Sequence, residues 1–228
     1  MINLKFILEK NYYIKIIALF LFWKVIKNHP NLLKYKRETV FSVYRSLFCM
    51  YFMLYSLENL ICNFEDIFTD PFIERPCYND IIEWFIVYLL FDLINMVIQK
   101  NKRIDLYIHH IWCLGTILIA KGYNSAHSVV NLTLIAEAIS IVSGIDLMAM
   151  EDNNMKESYY YKLYRKNIIR YLRLPLWIVL LLVGIRHTNK FPKVLWYNCI
   201  MTSILMIGLD QYWEKKCDKV IKKYKNDN

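Results

Sequence analysis

Seven apolar runs, set apart by short polar or basic joints, give the chain its pattern. They cover residues 12–26, 40–62, 81–98, 105–120, 126–150, 167–187 and 193–213. A membrane-crossing helix needs roughly 17–25 apolar residues, and most of the runs reach that. None shows the period-two alternation of a membrane barrel strand, so helices are predicted throughout. The first run is interrupted by Lys15 and broken by His29-Pro30. It reads as a span, an interfacial helix or a signal anchor. The fourth run is short and is expected to extend into its flanks. Pro175 stands early enough in the sixth to be absorbed in a first turn or a mild kink. Residues 63–80, with Pro71 and Pro76, are predicted as a loop, as are residues 151–166. Residues 214–228 form a lysine-rich tail.

Composition sharpens this picture. The 228 residues are 57% hydrophobic and 16% aromatic, with only 5 Gly and 5 Pro. A single soluble domain is rarely so apolar. The net charge of +9 does not point to nucleic acid, because the basic residues fall in the joints between apolar runs. The six cysteines, at 49, 62, 77, 113, 199 and 217, form no CxxC pair. Free thiols are expected. Cys62 and Cys77 bracket one loop, and a disulfide between them is the alternative if that loop is lumenal.

Charge also orients the chain. With seven spans, the joints 27–39, 99–104 and 151–166 and the tail share one side and hold 17 Lys and Arg. The opposite side holds 6. Cytosolic loops carry the excess, so a lumenal N-terminus and a cytosolic C-terminus are predicted.

That orientation gathers the intramembrane polar residues at the cytosolic end. Asp92, Asn95, His109 and His110 fall in that half, and Glu137 near mid-depth. Arg45, Asp146, Arg170, Arg173 and Asp210 lie nearer the rim. An ionisable group at mid-membrane costs about 2.5–3.5 kcal/mol on insertion scales. A polar cavity with a basic rim is therefore expected to open toward the cytosol. For Arg45, Arg170, Arg173 and Asp210, simple snorkelling is an equal reading. Asp105, His109, Cys113 and Thr116 share one helix stripe, so Asp105 is placed to orient the His109 ring. His110 points about 100° away, toward a helix such as the third, with its stripe of Tyr88, Asp92 and Asn95. Thr133, Glu137, Ser140 and Gly144 form a small, polar stripe suited to close helix approach. His127 and His187, at span ends, are expected to be solvated. A metal held by His109, Cys113, Asp105 and Glu137 competes, but no HExxH or paired-histidine spacing supports it, and no metal is expected.

YLLFDLINM (88–96), RIDLYIHHIWCLG (103–115) and LIAEAIS (134–140) together resemble the TLC-domain family. The acid four residues before a His-His pair, and the Glu in the following helix, carry the resemblance. It covers about residues 37–215 and implies a six-helix domain. Residues 1–36 then form an extra span and joint, and 216–228 a cytosolic tail. The fold class is thus an all-α membrane protein of about seven transmembrane helices. The family includes ceramide synthases, which transfer an acyl group from acyl-CoA to a long-chain amine. It also includes members tied to membrane-lipid composition or cargo export.

The resemblance implies an endoplasmic-reticulum protein of lipid metabolism with membrane lipids as partners. It implies acyl-CoA as a co-substrate, whose phosphates the basic rim suits, and no tightly bound cofactor. His109 or His110 would be general base or acyl acceptor, with Asp105 as orienter. Asp92, Glu137, Asn95, Arg170 and Arg173 would line the substrate site. The window NLTLIAE (131–137) lacks the His-Asp of ceramide synthases, and Ile141 and Gly144 replace a frequent Pro and Asn. The chain is therefore closer to the short TLC-domain-containing proteins. A non-catalytic lipid- or cargo-binding protein is the alternative.

Overall fold

A computed structural model describes residues 10–69 and 75–227. Pro71 of the predicted loop and the first nine residues of the predicted 1–36 span and joint lie outside them. The described residues are helical, with no strand. The helices are α1 (Lys10–Lys27), α2 (Arg37–Cys62), α3 (Asp66–Thr69), α4 (Pro76–Ile98), α5 (Ile104–Gly122) and α6 (His127–Ile135). There follow α7 (Ala138–Ile141), α8 (Ser143–Glu151), α9 (Met155–Ile168), α10 (Leu174–Arg186) and α11 (Lys193–Asp227).

Among the described residues, four stretches are long and apolar enough to cross a membrane. These are α2, α4, the broken helix α6–α8 and the continuous α9–α10. Helices α1, α5 and α11 form where runs were predicted but fall outside this set. They carry Lys15, the Asp105 and His pair, and the polar tail, respectively. The outer faces are apolar: Ile14, Ile17, Phe20 and Leu21 of α1 and Ile178, Leu182 and Ile185 of α10 are exposed. A surface of that kind is compatible with an integral membrane protein.

The joints are tight without glycine. Lys100, Asn124 and Asn153 have φ of 51°, 48° and 57° and end α4, α5 and α8. After each, the next amide donates back five residues: Asn101 N to Met96 O, Ser125 N to Ala120 O and Asn154 N to Ala149 O, at 3.0, 3.1 and 2.8 Å. This left-handed cap satisfies helix-end carbonyls that would otherwise be stranded. Pro76 opens α4, where its missing N–H costs nothing. Pro175 opens α10, directly after a π-helical turn at Ile169–Arg173 that absorbs the disturbance.

The loop expected at 151–166 and the tail expected at 214–228 both differ. Residues 151–166 are mostly helix, because α9 buries Ser158 against Asp146 and packs on α8 and α11. The tail is likewise a continuation of α11, which lies along α9 with Tyr224 stacked on Tyr159. The fifth run is interrupted rather than continuous. The carbonyls freed by its breaks are claimed by Arg173 (to Ala136 O) and by Ser46 and Ser143 (to Ser140 O, 2.9 and 2.6 Å).

The broken helix lies at the centre of the bundle. Its α6 segment packs on α2, α4, α5 and α10. Gly144 permits the closest approach: a Cβ there would sit 2.7 Å from Val43 Cα. Helix α1 lies outside against α2 and α4, joined by Trp23, Phe41 and Tyr44 in one aromatic cluster. Helix α5 is stitched to α11 by Trp112 Nε1 donating to Thr202 (2.9 Å) and Thr116 donating to Asn198 (3.3 Å). That fixes its rotation and turns His109 and His110 inward.

Candidate functional site

The two histidines are buried at the floor of a cavity of about 300 Å³. Arg45, Tyr88, Ser140, Ser143 and Trp213 contribute to its walls. Its mouth lies among Asn101, Arg103, Lys162 and Arg165, from the joint after α4 and from α9. This is the end of the bundle that carries the basic joints.

Each imidazole has its own carboxylate. His109 Nε2 is 3.4 Å from Glu137 Oε1, and His110 Nδ1 is 3.1 Å from Asp92 Oδ2. The second contact is close but not aligned as a hydrogen bond, leaving both atoms without a conventional partner. Arg45 Nε donates to the other Asp92 oxygen at 2.6 Å. The two rings stand perpendicular, with centroids 5.3 Å apart. The helix breaks flank Glu137 and deliver it to His109 from the bundle centre. His110 reaches α4 as its helical angle predicts.

Asp105 does not hold His109. Its carboxylate is taken by Arg103 (2.9 and 2.5 Å), Trp213 Nε1 (2.8 Å) and Lys216 (3.6 Å). Helical spacing placed it below His109, but the joint and α11 supply stronger donors. The Trp213 ring stands against His109, 5.5 Å between centroids and 76° between planes. Asp105 therefore bears on the imidazole only through that indole.

The other predicted residues divide. Arg173 is fully buried, ion-paired to Asp210 at 2.7 Å and sandwiched near Trp177 and Trp213, so it supports the site from behind and lines no cavity. Asp210 also accepts from Trp177 Nε1 at 2.8 Å. Asn95 donates to Phe91 O of its own helix at 2.9 Å. Arg170 is exposed and paired to Glu214, away from the histidines. Of the four rim residues Arg170 alone is exposed; Arg45, Arg173 and Asp210 are engaged in buried pairs.

His127 and His187 are buried rather than solvated, because α6 starts inside the bundle and the turn after α10 folds back over His187. All six cysteines are free, Cys62 and Cys77 included. Among the described residues, no group of three or more His, Cys, Asp and Glu is placed to hold a metal ion. Sequence reasoning missed Trp213, Lys162 and Arg165. The i, i+3 spacing of the last two on a helix was the available signal, hidden by reading 151–166 as a loop. Comparison with protein-family models, with curated proteins and with solved structures finds no match to this chain.

Proposed function

We propose that the chain is a seven-span membrane protein of lipid metabolism that carries out acyl-CoA-dependent N-acyl transfer, in the manner of the TLC-domain family it resembles. The single observation behind this is the pair of buried imidazoles, each with a carboxylate within 3.4 Å, at the floor of a basic-mouthed cavity. A carboxylate on one ring nitrogen fixes the tautomer and leaves the other as a base, which in His109 is the Nδ1 that also meets Cys113 Sγ at 3.7 Å. His109, held by Glu137, takes the proton of a long-chain amine as its nitrogen attacks the thioester carbonyl. The C–N bond forms, the C–S bond breaks, and the proton passes to the leaving thiolate. His110 and Asp92, neutralised by Arg45, complete the polar floor.

The topology belongs to the same proposal. Helix α5 has 19 residues, about 28 Å at 1.5 Å per residue, close to the hydrocarbon thickness. The N-terminus is lumenal, the C-terminus and cavity mouth are cytosolic, and the membrane is that of the endoplasmic reticulum. A glycosylation tag in 63–80 is then modified and one at 152–154 is not; the reverse pattern removes the cytosolic cavity.

Purified protein given acyl-CoA and long-chain amines should yield amide by mass spectrometry. His109→Ala and Glu137→Gln should lower its formation, the first by about 10²–10⁴-fold. A folded wild type that is inert across acyl lengths refutes the reaction. A second reading, a non-catalytic lipid- or cargo-binding protein, is favoured by one fact: both imidazoles already have a buried carboxylate close by, which polar satisfaction alone would require. Under that reading the inert protein carries a co-purifying lipid or cargo.

A further inference from the structure

A second recess of about 310 Å³ lies between the start of α5, α9 and the polar half of α11. Arg103, Lys162, Arg165, Lys216 and Lys219 supply its charge. The carboxylates that reach these cations are Asp105, on Arg103 and Lys216, and Asp146, on Lys162 and Arg165. Asp218 and Glu214, nearby on α11, are spent on Lys166 and Arg170. Five cations thus face two carboxylates, an excess of three positive charges.

Two of the five are under-used. Arg165 touches Asp146 only at 3.5 Å through Nη1, and its Nε is buried with no hydrogen-bond partner. A guanidinium carries five donors in a fixed fork, and leaving a buried one unpaired is costly. Lys219 is exposed and makes no ion pair among the described residues. Arg and Lys together in a recess match the oxygens and double charge of a phosphate better than a carboxylate, which carries a single charge.

The recess also joins the histidine cavity. Arg103, Lys162, Arg165 and Trp213 line both. The Trp213 indole stands at the junction: it borders both spaces and its ring lies 5.5 Å from that of His109. We propose that this recess binds a phosphate dianion, and that the ligand reaching His109 is anchored there by its phosphate. The second half of that statement rests on the reading of His109 given above; phosphate binding does not. Arg170 and Arg173, expected from the sequence to contact substrate, take no part.

Such a phosphate is borne by a soluble nucleotide or by a phosphomonoester lipid headgroup. The full chain in phosphatidylcholine nanodiscs is titrated with adenosine 3′,5′-bisphosphate for the first source. For the second, phosphatidate is titrated into the discs. Binding is read by calorimetry and by quenching of indole fluorescence that Trp213→Phe abolishes.

Saturable binding of either probe is expected, weakened about tenfold or more in a Lys216→Gln, Lys219→Gln double variant and in Arg165→Gln, with a shallower salt dependence. The probe that binds identifies the source. The double variant changes side chains near the surface, and an unchanged unfolding temperature certifies its fold. Absence of saturable binding to both probes, or equal binding by wild type and the folded double variant, overturns the proposal. Amide formation without phosphate binding would sink this inference and leave the catalytic reading standing; phosphate binding without amide formation would keep the phosphate site and sink the catalytic reading together with the anchoring of a ligand at His109.

Discussion

Charge is buried at both ends of the bundle, but on different terms. At the end away from the basic joints, Lys15 of α1 donates to Asp80 and Glu83 of α4 at 3.0 and 2.8 Å. Lys121 of α5 donates to Asn79 and Glu83 at 2.9 and 3.1 Å. Every partner there is reached by a flexible lysine, and the Asp80 side chain is half exposed. This is a clamp among α1, α4 and α5. At the opposite end Asp92, Arg173 and Asp210 have no exposed surface at all, and Arg45, His110 and Trp213, which touch Asp92 and Arg173, line a cavity. There the carboxylates are met by imidazoles and rigid guanidiniums. Burial of charge alone does not mark a site. The difference lies in fixed geometry around an enclosed cavity, whereas the clamp borders a recess along Asn79, Asp80 and Glu83 that lies open at the surface.

The contrast breaks first at Asp210. Truncating it to Ala strands the Arg173 guanidinium and the Trp177 N–H in the interior. Removing one member of a buried ion pair costs about 3–5 kcal/mol. Unfolding of the purified protein should show that loss as a large drop in midpoint. An Arg173→Met, Asp210→Leu double variant should recover much of it, since no charge is then left unpaired. A single variant as stable as wild type would mean that the pair is hydrated and the site end is no more rigid than the clamp.

The helices and the gathering of Asp92, His109, His110 and Glu137 were legible in the sequence, but not the wiring among them. The helical runs were legible because length is local, but Pro76, read as part of a loop over 63–80, instead opens α4. His110 toward Asp92 was legible from helical angle. The partner of His109 was not. Spacing offered Asp105, one turn below, while the structure supplies Glu137 from a broken helix at the bundle centre. Those breaks depend on Arg173 and Ser46 capturing carbonyls from other helices, and no local pattern encodes that. Arg173 itself looked like a rim residue because its depth along the chain says nothing of the direction its side chain takes. The helical state of 151–166 was hidden because its buried face is supplied with partners by other helices, chiefly α8 and α11.

The central helix tests whether the site end depends on close packing. Gly144→Ala puts a Cβ 2.7 Å from Val43 Cα and 2.8 Å from Val43 N, both backbone atoms that cannot swing aside. Helices α2 and α8 must separate, and Gly144 N loses its bond to Ser46 Oγ (3.0 Å). Overpacking of this kind costs about 1–3 kcal/mol. Gly115→Ala, where nothing lies within 4 Å, should be close to neutral and is the control. Equal unfolding midpoints for the two variants would contradict the close approach.

A smaller effect is expected at the clamp. Lys15→Met removes two charge-assisted bonds yet leaves Glu83 its Lys121 partner and Asp80 its solvent. A loss of about 1 kcal/mol should follow, as for a partly screened pair. The readout is selective: hydrogen exchange should quicken in α1 while α5 and α8 keep their protection. Uniform quickening across the bundle would show that α1 is part of one cooperative core with the site.

The smallest effect is a pH dependence confined to the joint beside the clamp. Arg75 donates to Asp66 through Nε and Nη2 at 2.6 and 3.0 Å, and the Tyr78 hydroxyl donates at 3.0 Å. The Arg75 hydrogen bond first, and Tyr78 second, hold the Asp66 carboxyl below its ordinary value. A depressed folded-state pKa contributes stability above the unfolded value, near 3.9, and loses it as pH falls through the lower folded value. Hydrogen exchange in residues 75–80, corrected for its intrinsic rate, should therefore stay slow down to about pH 4 and accelerate below it. In Asp66→Asn it should be fast at neutral pH already and flat with acid. Retained acid sensitivity in that variant would move the titrating group elsewhere, to Asp80 or Glu83, and would tie the joint to the clamp instead of leaving it a separate latch.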